Sequence, residues 1–265
     1  MTSLSVAWTE ETRPVAGVDL HLRRGGSGEP LLILNDEFGH LGSLRYQEEL
    51  AQNYTVYIPS HPGFGPTPRL DWIMNVRDLA GWYLMALEEL GLNSVNAIGL
   101  SMGGWLAAEM ATMDPGQFKK LALVGAMGVL PPEGFIFDMF LSVPAVCITS
   151  CFHDPEGTAE FREICPELAA PEQAQAWEIA REEACRLGWR PYMYYPGMPN
   201  LLGRLKDLPT MIVWGREDEF VPLSAGQVYH DSIPGSRLEV LDNCGHMPHV
   251  EKAEEFLGLV RQFFA

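Results

Sequence analysis

Val95-Asn-Ala-Ile98, followed by Gly99-Leu-Ser101-Met-Gly103-Gly104 and the apolar segment running on to Met113, is the stretch that decides the fold. The first run is short and continuously apolar, as a strand covered on both faces by helices must be. Met102 to Met113 reads as a helix. The chain between them has to turn so sharply that the residues two before and two after Ser101 carry no Cβ, and both are glycine. Such a turn holds one hydroxyl clear of the sheet at the start of a helix, where negative charge is favoured. The pattern is G-x-S-x-G in its strand–turn–helix setting.

Working outward, Leu31-Leu-Ile-Leu34, Thr55-Val-Tyr-Ile58 and Leu121-Ala-Leu-Val124 are apolar runs of the same kind. Helical patterns from Gly42 to Ala51 and from Trp72 to Leu90 separate them. The alternation implies parallel strands joined by right-handed crossovers. Upstream, Val15 to Leu22 alternates apolar and polar residues like a half-exposed strand, with an earlier strand around Ser5–Trp8 expected to pair antiparallel with it. From Leu130 to Leu205 no core strand is legible: Pro131-Pro132 and an aromatic stretch precede acidic helical sequence from Asp154 to Leu187. Strands resume at Thr210–Trp214 and Arg237–Leu241, with helices near Ser224–Ser232 and Glu251–Phe264. The expected organisation is an α/β core from 1–129 and 206–265, with a helical cap over 130–205 inserted at the C-terminal ends of the strands.

Composition narrows the function. With 18 Lys+Arg against 35 Asp+Glu, a net charge of −17, the chain lacks the basic footprint that nucleic-acid phosphates need. It is equally unsuited to an anionic membrane surface. The five cysteines are scattered, with no C-x-x-C pair, so neither a disulfide framework nor a zinc site is expected. Met1 to Arg13 lacks the apolar segment of a secretory signal. A soluble cytoplasmic protein, monomeric or homodimeric, is the expectation, with a small-molecule substrate and neither nucleic-acid nor membrane partner.

A serine hydroxyl becomes a useful nucleophile only beside a base that a third group orients. Asp218 follows the strand Thr210–Trp214, and His246 follows the last strand in Cys244-Gly-His246. Each lies in a loop after a strand's C-terminal end, so the three can meet at one edge of the sheet. Glu217 and Glu219 flank Asp218 as solvated loop acids. His249 rivals His246 but belongs to the next helix. The pair is not H-E-x-x-H, so no metal is expected. Polar roles suffice for His61 and His153.

Together with Gly99–Gly104, the stretches His61-Pro-Gly-Phe-Gly65, Trp214-Gly-Arg-Glu-Asp218 and Cys244-Gly-His246 resemble motifs of the α/β-hydrolase superfamily, along essentially the whole chain. The nearest subgroup resembled is the small, capped, cofactor-free esterases and C–C hydrolases. The resemblance implies a mostly parallel eight-stranded sheet, with Ser101 as nucleophile, His246 as base and then acid, and Asp218 as orienting carboxylate. By position it makes the backbone N–H groups of Glu37 and Met102 the oxyanion donors. Here the sequence departs from the family, whose third strand often ends in His-Gly; Leu34 is followed by Asn35-Asp36-Glu37-Phe38-Gly39. The two acids are expected to face solvent or to hold the loop by hydrogen bonds.

Phe38, Trp105, Met127, Phe140, Trp189 and Met247 are candidate pocket residues, since ligand pockets are mostly apolar and aromatic. Met102 adjoins the serine whatever its side chain touches, and Arg190 is a candidate anchor for a substrate carboxylate. The leading expectation is a carboxylic-ester hydrolase acting through an acyl-enzyme without a cofactor. The alternatives are C–C hydrolysis of the meta-cleavage type and a non-catalytic ligand-binding protein. The first alternative is set back because that group resembles Gly-Asn-Ser at the turn and Trp after the histidine, where this chain has Leu100 and Met247. Dehalogenation would need an aspartate at position 101.

Overall fold

The computed structural model describes residues 6–39 and 41–265. Eight strands form one sheet in the order β1-β2-β4-β3-β5-β6-β7-β8. They are β1 (Trp8–Val15), β2 (Val18–Gly26), β3 (Glu29–Leu34), β4 (Tyr54–Pro59), β5 (Val95–Leu100), β6 (Phe118–Val124), β7 (Thr210–Gly215) and β8 (Arg237–Leu241). β1 and β2 run antiparallel to each other and β2 runs antiparallel to β4. Every other pairing is parallel.

The apolar runs read from sequence are the central strands. All six residues of β5 and of β7 are buried, as are Leu31 to Leu34 of β3. The N-terminal reading needs correction. Val15 to Leu22 is not one strand: Ala16 (φ 45°) and Gly17 (φ 83°) form a two-residue hairpin turn within it. Two successive positive φ values match the twist of the flanking strands. The first strand is therefore Trp8–Val15 rather than Ser5–Trp8; Ser5 lies outside the described residues.

The helices between strands are α1 (Arg45–Ala51), α2 (Val76–Glu89) and α3 (Met102–Met113). α2 starts later than the apolar pattern suggested, because the Asn75 side chain accepts the Asp78 N–H at 2.9 Å and caps it there. After β6 come α4 (Pro144–Thr149), α5 (Phe161–Ile164), α6 (Pro171–Gly188) and α7 (Met198–Leu201), with only one isolated bridge, Gly128 to Tyr194. α8 (Leu223–Ser232) precedes β8. The last helical stretch breaks at Lys252 into α9 (Pro248–Glu251) and α10 (Ala253–Phe264). Among the described residues no helix is long and apolar enough to cross a membrane. All five cysteines are free and buried.

Strand order places the site. The connection from β3 leads to β4 on one side, and the next connection crosses back over β3 to β5. The loops after β3 and β5 thus leave the sheet beside each other at the point where the winding reverses, where parallel sheets open a crevice. Asn35–Gly39 follows β3 and Ser101 follows β5.

Candidate active site

Ser101 has φ 47° and ψ −112°, outside the regions an L-residue ordinarily occupies. Its surroundings enforce this. A Cβ on Gly103 would lie 2.2 Å from the Leu34 carbonyl oxygen and 2.4 Å from that of Asn35. One on Gly99 would meet the Gly103 carbonyl oxygen at 2.6 Å. The Ser101 N–H donates to the Val124 carbonyl at 2.8 Å, and the Ser101 carbonyl accepts from Met127 N at 3.1 Å. The hydroxyl therefore has a fixed origin, and Ser101 is 3% exposed.

The loop after β8 brings His246 to it. Nε2 of His246 lies 2.7 Å from Ser101 Oγ, and Nδ1 lies 2.8 Å from Asp218 Oδ2. Three backbone features hold the imidazole and the carboxylate. The His246 N–H donates to the Cys151 carbonyl at 2.7 Å. Gly125, at φ 53°, leaves room for the ring, since a Cβ there would lie 3.0 Å from His246 Cε1. Asp218 Oδ1 accepts the N–H groups of Phe220 and Val221 at 2.9 and 2.8 Å, which leaves Oδ2 for the histidine. With Asp218 ionised, Nδ1 carries the proton and Nε2 accepts the Ser101 O–H. Burial pulls the His246 pKa down, but the Asp218 charge and hydrogen bond oppose it and the balance lies above 6.5.

The neighbouring acids separate by geometry. Glu219 is exposed, whereas Glu217 accepts the Cys244 N–H at 2.9 Å and ties the two loops together. His249 is buried against Tyr46, and desolvation, aided by the nearby His246, lowers its pKa to about 3. His61 bridges Tyr83 Oη (2.6 Å) and the Asn35 carbonyl (3.1 Å); burial lowers its pKa to about 4, so it supports the loop after β3 as a neutral ring.

That loop departs from expectation. Asp36 and Glu37 do not face solvent; they are 4% and 0% exposed. Asp36 Oδ1 accepts the Phe38 N–H at 3.0 Å and does hold the loop. Glu37 turns its carboxyl inward, with Oε2 3.4 Å from the Met102 N–H and Oε1 without a partner. The amides of Glu37 and Met102, expected to face an oxyanion, both act on this carboxyl, as does the Ser101 hydroxyl. Burial raises the pKa of Glu37, against the pull of His246, Ser101 and those amides. Asp36 is pushed well above the usual carboxylate range by burial and then by the charge of Glu37.

The pocket candidates divide. Phe38, Met102, Trp105, Met127 and Met247 are buried. Trp105 lies under Gly128 and Gly188, with its indole N–H 3.4 Å from Glu109 Oε1. Met127 contributes its main chain, to Ser101 and to the Tyr229 hydroxyl. Phe140, Trp189 and Arg190 are surface residues, and Phe140 and Trp189 line a groove with Arg181, Cys185 and Arg186. Trp189 and Arg190 follow the end of α6, and Phe140 lies edge-on to Trp189 at 4.5 Å.

Sequence reasoning missed the Phe220 ring, 4.8 Å from the imidazole, and the Glu251 carboxylate, which accepts the Gly245 N–H at 2.6 Å. Phe220 could have been found from its place two residues after Asp218; the role of Glu251 has no local signal. A cavity of about 300 Å³, lined by Asn35, Phe38, Gly39, His61, Phe64 and Ala180 among others, lies between the loop after β3 and α6. Its lining does not include Ser101, Asp218 or His246.

The family model of the alpha/beta hydrolases matches residues 26–259. The chain belongs to the alpha/beta hydrolase family. Within that family it is similar to 2-hydroxymuconate semialdehyde hydrolase of Pseudomonas putida, with 27% identity over 271 residues covering 94% of this chain and 92% of that protein. Among solved structures, a bacterial membrane phospholipase A superposes with a TM-score of 0.78 at 24% identity, covering 97% of this chain and 86% of that one. The 2-hydroxy-6-oxo-6-phenylhexa-2,4-dienoate hydrolase of a Rhodococcus species gives 0.77 at 23% identity, covering 98% and 99%. Both likenesses show the alpha/beta hydrolase fold.

Proposed function

We propose that this protein is a serine hydrolase of carboxylic esters with small hydrophobic or aromatic groups, working through an acyl-enzyme. The observation that carries the reading is the unbroken relay from Asp218 Oδ2 through both His246 nitrogens to Ser101 Oγ, at 2.8 and 2.7 Å. In it His246 Nε2 takes the Ser101 proton as Oγ bonds to the carbonyl carbon. The same nitrogen then protonates the leaving alkoxide, and Asp218 stabilises the imidazolium between the two steps. Water, activated by the same histidine, releases the acid. No step calls for a cofactor. Residues 130–205 act in this reading as the cap of a core formed by 1–129 and 206–265, in a cytoplasmic enzyme whose partner is a small molecule.

Turnover of short p-nitrophenyl esters by the wild type and by Ser101→Ala tests it. The wild type is expected to exceed the variant by at least about 10⁴-fold. Equal background rates from both proteins would end the reading.

A second reading is favoured by the semialdehyde hydrolase relative. The bond broken would then be C–C, in a vinylogous diketone, with the carbon leaving group protonated in place of an alkoxide. Ser101-dependent bleaching of a coloured dienol substrate, faster than any ester turnover, would put this reading first.

A further inference from the structure

The side chain of Glu37 has no place in the mechanism above, yet it lies in the middle of it. The carboxyl is fully buried, with one oxygen facing the Met102 N–H and the other bonded to nothing. An unmade hydrogen bond on a buried carboxyl oxygen is costly, and one that a native structure keeps calls for an explanation, of which a catalytic role is one. Asp36, the next residue, is also buried, and its Oδ1 is already bonded to the Phe38 N–H. Two adjacent buried carboxylates do not both stay charged without cations bonded to them. Among the described residues neither acid forms an ion pair with Lys or Arg.

The groups facing Glu37 from the packed elements supply little positive charge. Asp36 stands on its own loop, and His246 approaches from the loop after β8. Cys147 of α4, Cys151 just after that helix, Cys185 of α6 and Tyr192 lie near it in the inserted segment, all with pKa values raised by burial and therefore uncharged. A carboxylic acid in this setting has a natural hydrogen-bond assignment. Oε2 is the carbonyl oxygen, accepting from the Met102 amide, and Oε1 carries the hydrogen, with no hydrogen bond made and the Ser101 hydroxyl beside it.

We infer that Glu37 is a catalytic residue that works as a neutral carboxylic acid, its free O–H donating to the substrate's carbonyl oxygen beside Ser101, where main-chain amides would otherwise act alone. The inference rests on the serine-hydrolase reading above. As the Oγ–carbon bond forms, the carbonyl π pair moves onto oxygen and the Ser101 proton moves to His246 Nε2. The Glu37 O–H strengthens its hydrogen bond to that oxyanion and keeps its proton. On collapse the pair returns to carbon, the bond to the leaving group breaks, and His246 delivers the proton to it. Glu37 ends as it began.

The test is the pH profile of kcat/KM for wild type, Glu37→Gln and Glu37→Ala with a p-nitrophenyl ester, alongside fluorophosphonate labelling of Ser101. The wild type is expected to be bell-shaped: activity rises as His246 loses its proton and falls as Glu37 loses its own. Glu37→Gln retains a donor, so it keeps activity within about tenfold and loses the alkaline fall. Glu37→Ala lacks the donor and drops by about 10²–10³-fold, the loss usual for one oxyanion donor. Infrared difference spectra keep the inference testable if the alanine variant fails to fold: the wild-type minus Glu37→Gln difference must contain a protonated-carboxyl band, over and above any that Asp36 leaves in both proteins. An alanine variant as active as wild type, or more so, overturns the inference and makes the carboxyl an obstruction. An alkaline fall that persists in Glu37→Gln, or no protonated-carboxyl band in the difference spectrum, overturns it as well. The serine-hydrolase reading fails separately, by absence of labelling and of Ser101-dependent turnover in the wild type.

Discussion

Two loops leave adjacent strands to meet at the candidate site, and they are built on opposite plans. The turn after β5 is made of glycines and main chain: Gly99 and Gly103 sit where a Cβ would strike carbonyl oxygens, and Ser101 alone presents a functional group. The loop after β3 carries two acids inside the protein, 4% and 0% exposed, in a place where burial opposes their charge. The first loop obtains its geometry from sterics, at the expense of backbone strain at Ser101. The second retains an electrostatic penalty that a neutral side chain would remove. A strained turn is explained by the hydroxyl it aims; buried acids need a comparable explanation, and the comparison says where to look for function.

The largest effect concerns which acids orient the imidazole. Asp218 bonds to Nδ1, but Glu37 and Asp36 also act on His246. If the acid loop only borders the site, Asp218→Asn reverses the tautomer preference and lowers kcat by about 10⁴-fold, as loss of the orienting carboxylate does in serine proteases. The pH at which kcat/KM rises, above 6.5 in the wild type, should also move down, because the main raising influence has gone. A loss below tenfold would mean that the acid loop can substitute, and the contrast between the loops would break.

Next is the contact between the loops themselves. Gly103→Ala would place a Cβ 2.2 Å from the Leu34 carbonyl oxygen, where backbone and not a flexible side chain must yield. A destabilisation of about 3 kcal/mol is expected, the upper end for overpacking. Urea denaturation measures it, and an unchanged midpoint would show that the turn does not press on the loop after β3.

Much of this contrast is legible in the sequence, but unevenly. Periodicity reveals β3, β5, β6 and β7 because strands buried on both faces must be continuously apolar. The turn is legible because only glycine fits its tight positions. The hairpin at Ala16-Gly17 is missed because the alternation of Val18, Leu20 and Leu22 is carried back to Val15, although Val15 and Val18, three residues apart, break that period and Gly17 marks a turn. Glu37 is misread by its side chain: a charged residue in a loop reads as solvated, and only the tertiary fold shows that it is buried beside Met102. That Phe140, Trp189 and Arg190 are exposed is hidden for the converse reason, since residue type alone does not say which face of the segment looks inward.

A smaller effect isolates the penalty in the acid loop. Asp36 has a folded pKa well above its usual 3.8, so the stability tied to its protonated form is complete below 3.8 and is lost as the pH rises through the folded value. Asp36→Asn keeps an oxygen to accept the Phe38 N–H, 3.0 Å from Oδ1 in the wild type, and has no charge to lose. It should therefore denature at higher urea than wild type at pH 8, with the two midpoints converging as the pH falls toward 3.8. A variant less stable than wild type at pH 8 would mean that the Asp36 charge is compensated and that the loops do not differ in kind.

The smallest effect bears on whether the inserted segment's outer face takes part at all. Trp189 is 53% exposed and its ring meets Phe140, itself 40% exposed, edge-on at 4.5 Å. An aromatic pair in that geometry contributes roughly 1 kcal/mol when well packed. Here each ring leaves much of its surface in water, so Trp189→Ala should change stability by about 0.5 kcal/mol and leave kcat/KM within about twofold. A tenfold rise in KM with kcat unchanged would contradict this, because lost uniform binding is what that pattern reports. It would mean that the pair turns inward over the substrate, and the site would then have a third wall of aromatic residues beside the glycine turn and the acid loop.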